Sequence, residues 1–489
     1  MDESIKISVL DDIRKHLREE DREQFSYLEG LIENNQSKAM LELGDLCLDN
    51  HFSRTNHIEQ AVSLYQLAIK YGNTEAMNRY GVLCFNTGEY ETACEMFRLA
   101  VRQEKDSTAL TNLAKMYYQG LGVKKEYNQA FCLFHQAAEL GDNEAMFWLG
   151  KCYYQGLGVE KDRIKEIEWY KKAAESGNTE ASLHLGLLYK RGMGVEKNKA
   201  QAKRWYEKAV NQYEREALVG SIEAMNQIAM IYYKHLKDYK VAINWYLKAR
   251  ELGDEEAGYF IAEIYDERLN NLSSAIDWYG KSAELGNSDA ALRLALIYEE
   301  DKKDERNSIK WFEKAYQLGS AEALEFLGDA YKKQSNFDKA KECYEELMHL
   351  ENHQEEGILA LGNLHEESAK YEESKKYYEK LVERGNKEGM LALGDMYANG
   401  KGLNIDYHLA IKCYEKAIEA GDYSIAESRI RNVKIFNTIS NNEGIAQTDL
   451  YKQFLPEEKE WIMTDLRELD RKNKVIRVKS GSTYKLFLK

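Results

Sequence analysis

Apolar residues recur along this chain in two alternating helical stripes. Between Asp142 and Gly177, in DNEAMFWLGKCYYQGLGVEKDRIKEIEWYKKAAESG, Ala145, Leu149 and Tyr153 stand four apart, and Ile167, Tyr170 and Ala174 follow at spacings of three and four. The spacing predicts two amphipathic helices that make one unit. Gly156-Leu157-Gly158-Val159 separates them: the glycines open positive φ to a sharp turn, and Val159 gives the turn an apolar foot. Gly177 takes the position that ends a helix, Asn178 the N-cap of the next, and Glu180 its first turn.

The first stripe repeats in register along most of the chain. It reads Ala39-Leu43-Cys47, Ala76-Tyr80-Cys84, Ala109-Leu113-Tyr117, Ala145-Leu149-Tyr153 and Ala181-Leu185-Tyr189. It continues as Ala224-Ile228-Tyr232, Ala257-Ile261-Tyr265, Ala290-Leu294-Tyr298, Ala323-Leu327-Tyr331, Gly357-Leu361-His365 and Gly389-Leu393-Tyr397, so about eleven units are expected. A small residue heads each stripe and lets two helix backbones come close. Units starting near Asp106, Asp142, Asn178 and Asn386 keep the Gly-x-Gly loop, whereas those between Ser221 and Gly385 are shorter and lack it. After Trp205-Tyr206 one unit runs on through AVNQYEREALVG, which predicts about two extra helical turns.

The recurring pattern A-x3-LG-x2-Y-x2-G-x-GV-x2-D, then an aromatic pair, then KAA-x2-G, resembles the Sel1-like repeat, a relative of the tetratricopeptide unit. The resemblance implies an all-α, right-handed α-solenoid of Sel1-like/TPR-like two-helix repeats over residues 34–421. It also implies a protein that binds other proteins and does not by itself imply catalysis; no enzyme is expected. Ahead of the array, Val9, Ile13 and Leu17, then Phe25, Leu28 and Ile32, are spaced as helical stripes, so residues 1–33 read as a helical cap or a mobile arm.

The second helices carry adjacent rings at Trp169-Tyr170, Trp205-Tyr206, Trp245-Tyr246, Trp278-Tyr279 and Trp311-Phe312. Neighbouring side chains on a helix point about 100° apart, so one ring of each pair at most can be fully buried. Two readings stand: Trp169, Trp205, Trp245, Trp278 and Trp311 form a ladder for a peptide partner, or both rings of each pair pack between repeats.

After Gly421 the register ends. Residues 422–489 read as three short helices and a hairpin. Val433, Phe436 and Ile439 line the first helix, Ala446 to Leu455 form the second, and Ile462, Leu466 and Leu469 line a third that runs from Glu457, after Pro456, to Lys472. Val475–Lys479 and Thr483–Phe487 alternate around Ser480-Gly481-Ser482. This order resembles the winged helix-turn-helix family, which implies possible DNA binding. Thr464, Arg467 and Arg471 would form the polar face of the recognition helix, and Arg477, Lys479 and Lys485 would meet phosphates. Seven Lys or Arg and no Asp or Glu lie between Arg471 and Lys489. Against DNA stand the carboxylates of Glu457-Glu458-Lys459-Glu460 at the start of the third helix, so a protein-contact role is equally open.

A formal charge of -15 argues against a chain that coats nucleic acid along its length. With no cationic start followed by an apolar run, and no segment long enough for a bilayer, a cytoplasmic protein without membrane contact is expected. The seven cysteines, odd in number and without zinc spacing, read as small packing residues. Phosphate loops, dinucleotide fingerprints and nucleophile elbows are absent, and no cofactor is expected. His349 and His353 are four apart, but Asn352 and a repeat boundary fall between them, which argues against a metal pair.

Overall fold

The computed structural model describes residues 2–16, 22–48, 57–104, 106–421, 423–454, 458–472, 474–480 and 483–488. Leu17, Leu455, Pro456, Glu457, Gly481 and Ser482, all used above, lie outside them. Two leading helices, α1 (Asp2–His16) and α2 (Arg22–Glu33), precede eleven helix pairs. The pairs begin with α3 (Ser37–Leu48) and α4 (His57–Lys70), α5 (Thr74–Asn86) and α6 (Tyr90–Gln103), and α7 (Ser107–Gln119) and α8 (Tyr127–Glu139). Next come α9 (Asn143–Gln155) and α10 (Arg163–Glu175), α11 (Thr179–Arg191) and α12 (Lys199–Leu218), and α13 (Ile222–Ile231) and α14 (Tyr239–Glu251). The series continues with α15 (Ala257–Glu267) and α16 (Leu272–Glu284), α17 (Ser288–Glu300) and α18 (Glu305–Gln317), and α19 (Ala323–Lys333) and α20 (Phe337–His349). It closes with α21 (Gln354–Glu367) and α22 (Tyr371–Glu383), and α23 (Lys387–Asn399) and α24 (Tyr407–Glu419). The chain forms two compact units, Met1–Leu252 and Gly253–Lys489.

Within each unit a helix packs on its partner in the pair and on the next pair, the pattern of a two-helix-repeat solenoid. The leading helices join this stack, α1 against α4 and α2 against α3. Lys6 is buried there, and its ammonium donates to the Ile32 and Glu33 carbonyls and, at 2.8 Å, to Asn35 Oδ1, which closes the end of α2. The head residue of a stripe is also where its helix is capped: Asp142 accepts from the Ala145 N–H at 2.7 Å and Asn178 from the Ala181 N–H at 2.8 Å.

Inside a pair the packing is a ring against a glycine. Tyr170 is fully buried with its ring over Gly150, where an added Cβ would lie 2.5 Å from it; Tyr206 over Gly186 and Tyr414 over Gly394 repeat the contact. Where an acidic residue follows that glycine, the phenol finds an acceptor: Tyr65 donates to Asp45 at 2.6 Å, Tyr344 to Asp329 and Tyr414 to Asp395 at 2.7 Å. Cys47 and Cys152 are buried, and burial pushes both thiols up to about 12, as packing residues require. α12 spans 20 residues against 13 in α10, the two extra turns expected.

Two helix junctions are short. α13 ends in a π-helical turn, Tyr232–Leu236, which brings the chain to its next N-cap, Asp238, without a loop. The charged run Glu299–Arg306 spans a junction of the same kind: α17 extends through Glu300 and α18 starts at Glu305, so only Asp301 to Asp304 join them.

The C-terminal segment holds α25 (Tyr423–Asn441), β1 (Ile445–Ala446), α26 (Gln447–Leu450), a 3-10 turn, α27 (Lys459–Arg471), β2 (Val475–Ser480) and β3 (Thr483–Leu488). Its first helix has 19 residues and is not short; the expected second helix is shortened to α26 and the 3-10 turn, and β1 had no sequence signal at two residues. The sheet order β1-β3-β2, antiparallel, pairs Leu486 with both Ile445 and Arg477 and fits a helical domain with a wing. Ile435, Ile439, Ile462, Leu466 and Leu486 form its core.

Candidate functional site

The ring pairs divide as the helical angle demands. Tyr170, Tyr206, Tyr246, Tyr279 and Phe312 are buried, while Trp169, Trp205, Trp245, Trp278 and Trp311 are half-buried. A lysine of the same helix lies over each indole: Lys172 at 4.2 Å from Trp169, Lys248 at 3.8 Å from Trp245, Lys281 at 4.7 Å from Trp278. Lys208 and Lys310 stand farther from Trp205 and Trp311, at 5.5 and 5.7 Å. A partner reaching these rings would have to displace contacts of about 0.5–1 kcal/mol each.

The first helices carry a feature that residue-by-residue reading missed. In the N-terminal unit, α3, α5, α7, α9, α11 and α13 together hold six acidic and six basic residues. In the C-terminal unit, α15, α17, α19, α21 and α23 hold fourteen acidic and four basic residues. Some of these carboxylates lie near one another: the Glu325 carboxyl is held above the ordinary range by partial burial and by the charges of Asp329, Glu356, Glu322 and Glu388. Glu322, Glu325, Glu356 and Glu388 are all exposed. Sorting the charges by helix would have found this face.

In the C-terminal domain Thr464, Arg467 and Arg471 are exposed along one side of α27. Arg477 is not free. Its Nη2 donates to Gln447 Oε1 at 3.0 Å, its Nη1 lies 3.7 Å from Asp470, and its guanidinium lies 4.5 Å from the Tyr484 ring centre. The register explains this: Arg477 shares the inner hairpin face with Val475 and Leu486, both buried. Lys479 and Lys485 are exposed. Trp461, 55% exposed in the first turn of α27 and covered by Arg431 at 5.0 Å, had drawn no attention in the sequence. His349 closes α20 and His353 precedes α21, so the two belong to different elements.

Helix pairs stacked by nearest-neighbour contact and joined by short turns define an α-solenoid repeat protein. The chain belongs to the Sel1 repeat family, which matches residues 37–73, 107–142, 143–178, 179–213, 222–254, 259–287, 288–320 and 387–422. Tetratricopeptide repeats match 74–107, 321–352 and 356–384, and together the eleven stretches coincide with the eleven helix pairs. Among solved structures the chain is similar to a protective antigen of uropathogenic Escherichia coli strains that displays an SLR fold. That match has 26% identity over 94% of this chain and 99% of the other, with a TM-score of 0.43. A Sel1 repeat protein from Oxalobacter formigenes is 30% identical over 49% of this chain and 98% of its own, with a TM-score of 0.36. Yeast Tom70 is 15% identical over 90% and 96%, with a TM-score of 0.34. Such repeat scaffolds are typical of protein–protein interaction, and no described helix is long and apolar enough to cross a membrane.

Proposed function

We propose that this chain is a non-enzymatic, cytoplasmic adaptor whose repeats hold a protein or peptide partner on the first-helix face. The observation that supports this most is the sorting of charge in the C-terminal unit, where five first helices hold fourteen acidic and four basic residues; Asp266, Glu299, Glu366 and Asp395 are taken up by ion pairs, while Glu325, Glu356 and Glu388 stand exposed near one another and offer a surface to a cationic segment. Trp169, Trp205, Trp245, Trp278 and Trp311 are secondary contacts at most, because each already meets its own lysine. The test is a photo-crosslinking residue placed in the full chain at Glu325 on a first helix or at Lys203 on a second helix. A partner should be captured from Glu325 and not from Lys203, and capture from Lys203 alone would remove the reading.

A second reading is a transcription regulator whose C-terminal winged-helix-like domain binds DNA. It is favoured by Thr464, Arg467 and Arg471 standing exposed on one side of α27 in a domain whose wing also exposes Lys479 and Lys485. Duplex binding by the full chain at low salt should fall on Lys479→Glu with Lys485→Glu; Arg477 is spared because its loss would disturb Gln447 and Asp470. Absence of binding at low salt leaves the adaptor alone.

A further inference from the structure

The C-terminal sheet has an open edge. β2 pairs with β3 alone, so its far side meets no other strand among the described residues. The Gly444 N–H donates to the Leu486 carbonyl at 3.0 Å, which shows that Leu486 turns its backbone toward β1. Its neighbours Lys485 and Phe487 then turn theirs toward β2, where they stand opposite Val478 and Ile476. Val475, Arg477 and Lys479 are left with N–H and C=O groups that point outward, and no described backbone group meets them.

The two faces of this edge differ. Arg477 and Lys479 lie on the face of the helical core with the buried Val475. Arg477 is already held by Gln447 and Asp470, so the exposed Lys479 is the charge left for a partner on that face. The opposite face carries Ile476 and Val478, 40% and 49% exposed, beside Phe487. No Asp or Glu stands between Arg471 and Lys489 to balance the seven Lys or Arg there. These cations oppose pairing with a second copy of the chain. An antiparallel match centred on Arg477 sets that residue against itself, and one centred on Val478 sets it against Lys479. A strand of opposite charge meets no such barrier. A nucleic acid would use Lys479 and Lys485 but leave Ile476 and Val478 in water.

We propose that β2 receives an extended segment of a partner protein as a further antiparallel strand, one that alternates acidic with apolar residues. Its acidic side chains share the face of Arg477 and Lys479, its apolar ones cover Ile476 and Val478, and its backbone bonds to Val475, Arg477 and Lys479. This contact is separate from the first-helix face: crosslinking at Glu325 tests that face, and neither result decides the other.

The experiment adds an end-capped peptide of alternating glutamate and valine to the full chain and follows amide hydrogen exchange. Exchange should slow at Val475, Arg477 and Lys479 more than at Ile476 and Val478, which already bond to β3, with half the effect at about millimolar peptide. N-methylation of the glutamates, whose N–H groups turn toward β2, should weaken binding about tenfold, and N-methylation of the valines, whose N–H groups turn away, should not. Lys479→Gln and Val478→Ser should each weaken it up to about fivefold. Equal binding of a lysine–valine peptide, equal effects of the two methylations, or unchanged exchange at Arg477 and Lys479 would overturn the proposal, and all three use the unaltered chain. A short DNA duplex that displaces the peptide and is indifferent to Val478→Ser would give the edge to nucleic acid. Slowing of the same amides with protein concentration alone would give it to a second copy; either result also overturns the proposal.

Discussion

The repeats from Ser107 to Leu218 and those from Ala257 to Glu383 stack the same helix pair by different means. In the first group the second glycine of each loop seats on the start of the preceding second helix. A Cβ on Gly122 would lie 2.2 Å from the Tyr90 carbonyl oxygen, and one on Gly158 2.3 Å from that of Tyr127. In the second group the loop is gone, and the turns use Asn270, Lys303, Ser335 and Ala369 at φ between 49° and 61°, a region that L side chains rarely adopt. Charge crosses between repeats more often there: Arg293 pairs with Asp266 at 3.0 Å, Lys332 with Glu367 at 3.4 Å, and Lys333 with Glu299, against Lys115 with Glu144 in the first group. The first array leans on shape and the second more on ions, so each should yield most to a different perturbation.

The largest effect is expected at Gly158. Gly158→Ala combines φ of 73° with a collision against backbone, and should cost about 3 kcal/mol, read as a lower urea midpoint with hydrogen exchange accelerating in α8 to α10. Gly177→Ala is the control: its φ of 97° carries strain, but nothing lies within 4 Å, so it should cost less. Equal losses would erase the distinction between loop and plain turn.

Acid should separate the two units next. His235 in the π turn stacks on Tyr206 at 4.3 Å, and burial, aided by Lys190 and Lys234, lowers its pKa to about 4. A neutral imidazole is thus favoured in the folded state. Its contribution is complete above about pH 6.5 and disappears as pH falls toward 4, worth about 2–3 kcal/mol in all. Glu325 has the opposite sign: its raised pKa favours the folded state below its unfolded pKa, and that advantage fades as pH rises. Hydrogen exchange between pH 6.5 and 4 should therefore rise around α13 first, and His235→Gln should remove the slope.

Ala369→Gly should stabilise the C-terminal unit by about 1 kcal/mol, because it relieves a left-handed alanine; a higher melting temperature checks it. The smallest effect belongs to Lys333→Met. Its partner Glu299 is mostly covered but the lysine is 61% exposed, so the loss should stay under about 1 kcal/mol and shrink further at high salt.

Helix stripes, head residues and caps were legible because each is set by neighbours within four residues of sequence: Asn178 caps Ala181, and Ala145, Leu149 and Tyr153 share a face. The β2–β3 hairpin was legible from alternation. The fate of Arg477 was not, since it depends on Gln447, thirty residues earlier, and on a register that aims the side chain inward. The left-handed turns at Ser335 and Ala369 gave no glycine to mark them.

The contact between Tyr170 and Gly150 lies wholly inside one helix pair, and Tyr206 with Gly186 and Tyr414 with Gly394 do the same. A duplicated pair therefore arrives with its own lock and key already matched, and a deleted pair takes both away. The length of such an array can change by whole units with this contact intact, and only contacts that cross repeats, such as His235 on Tyr206 and Gly158 on the Tyr127 carbonyl, have to be remade at the new junction.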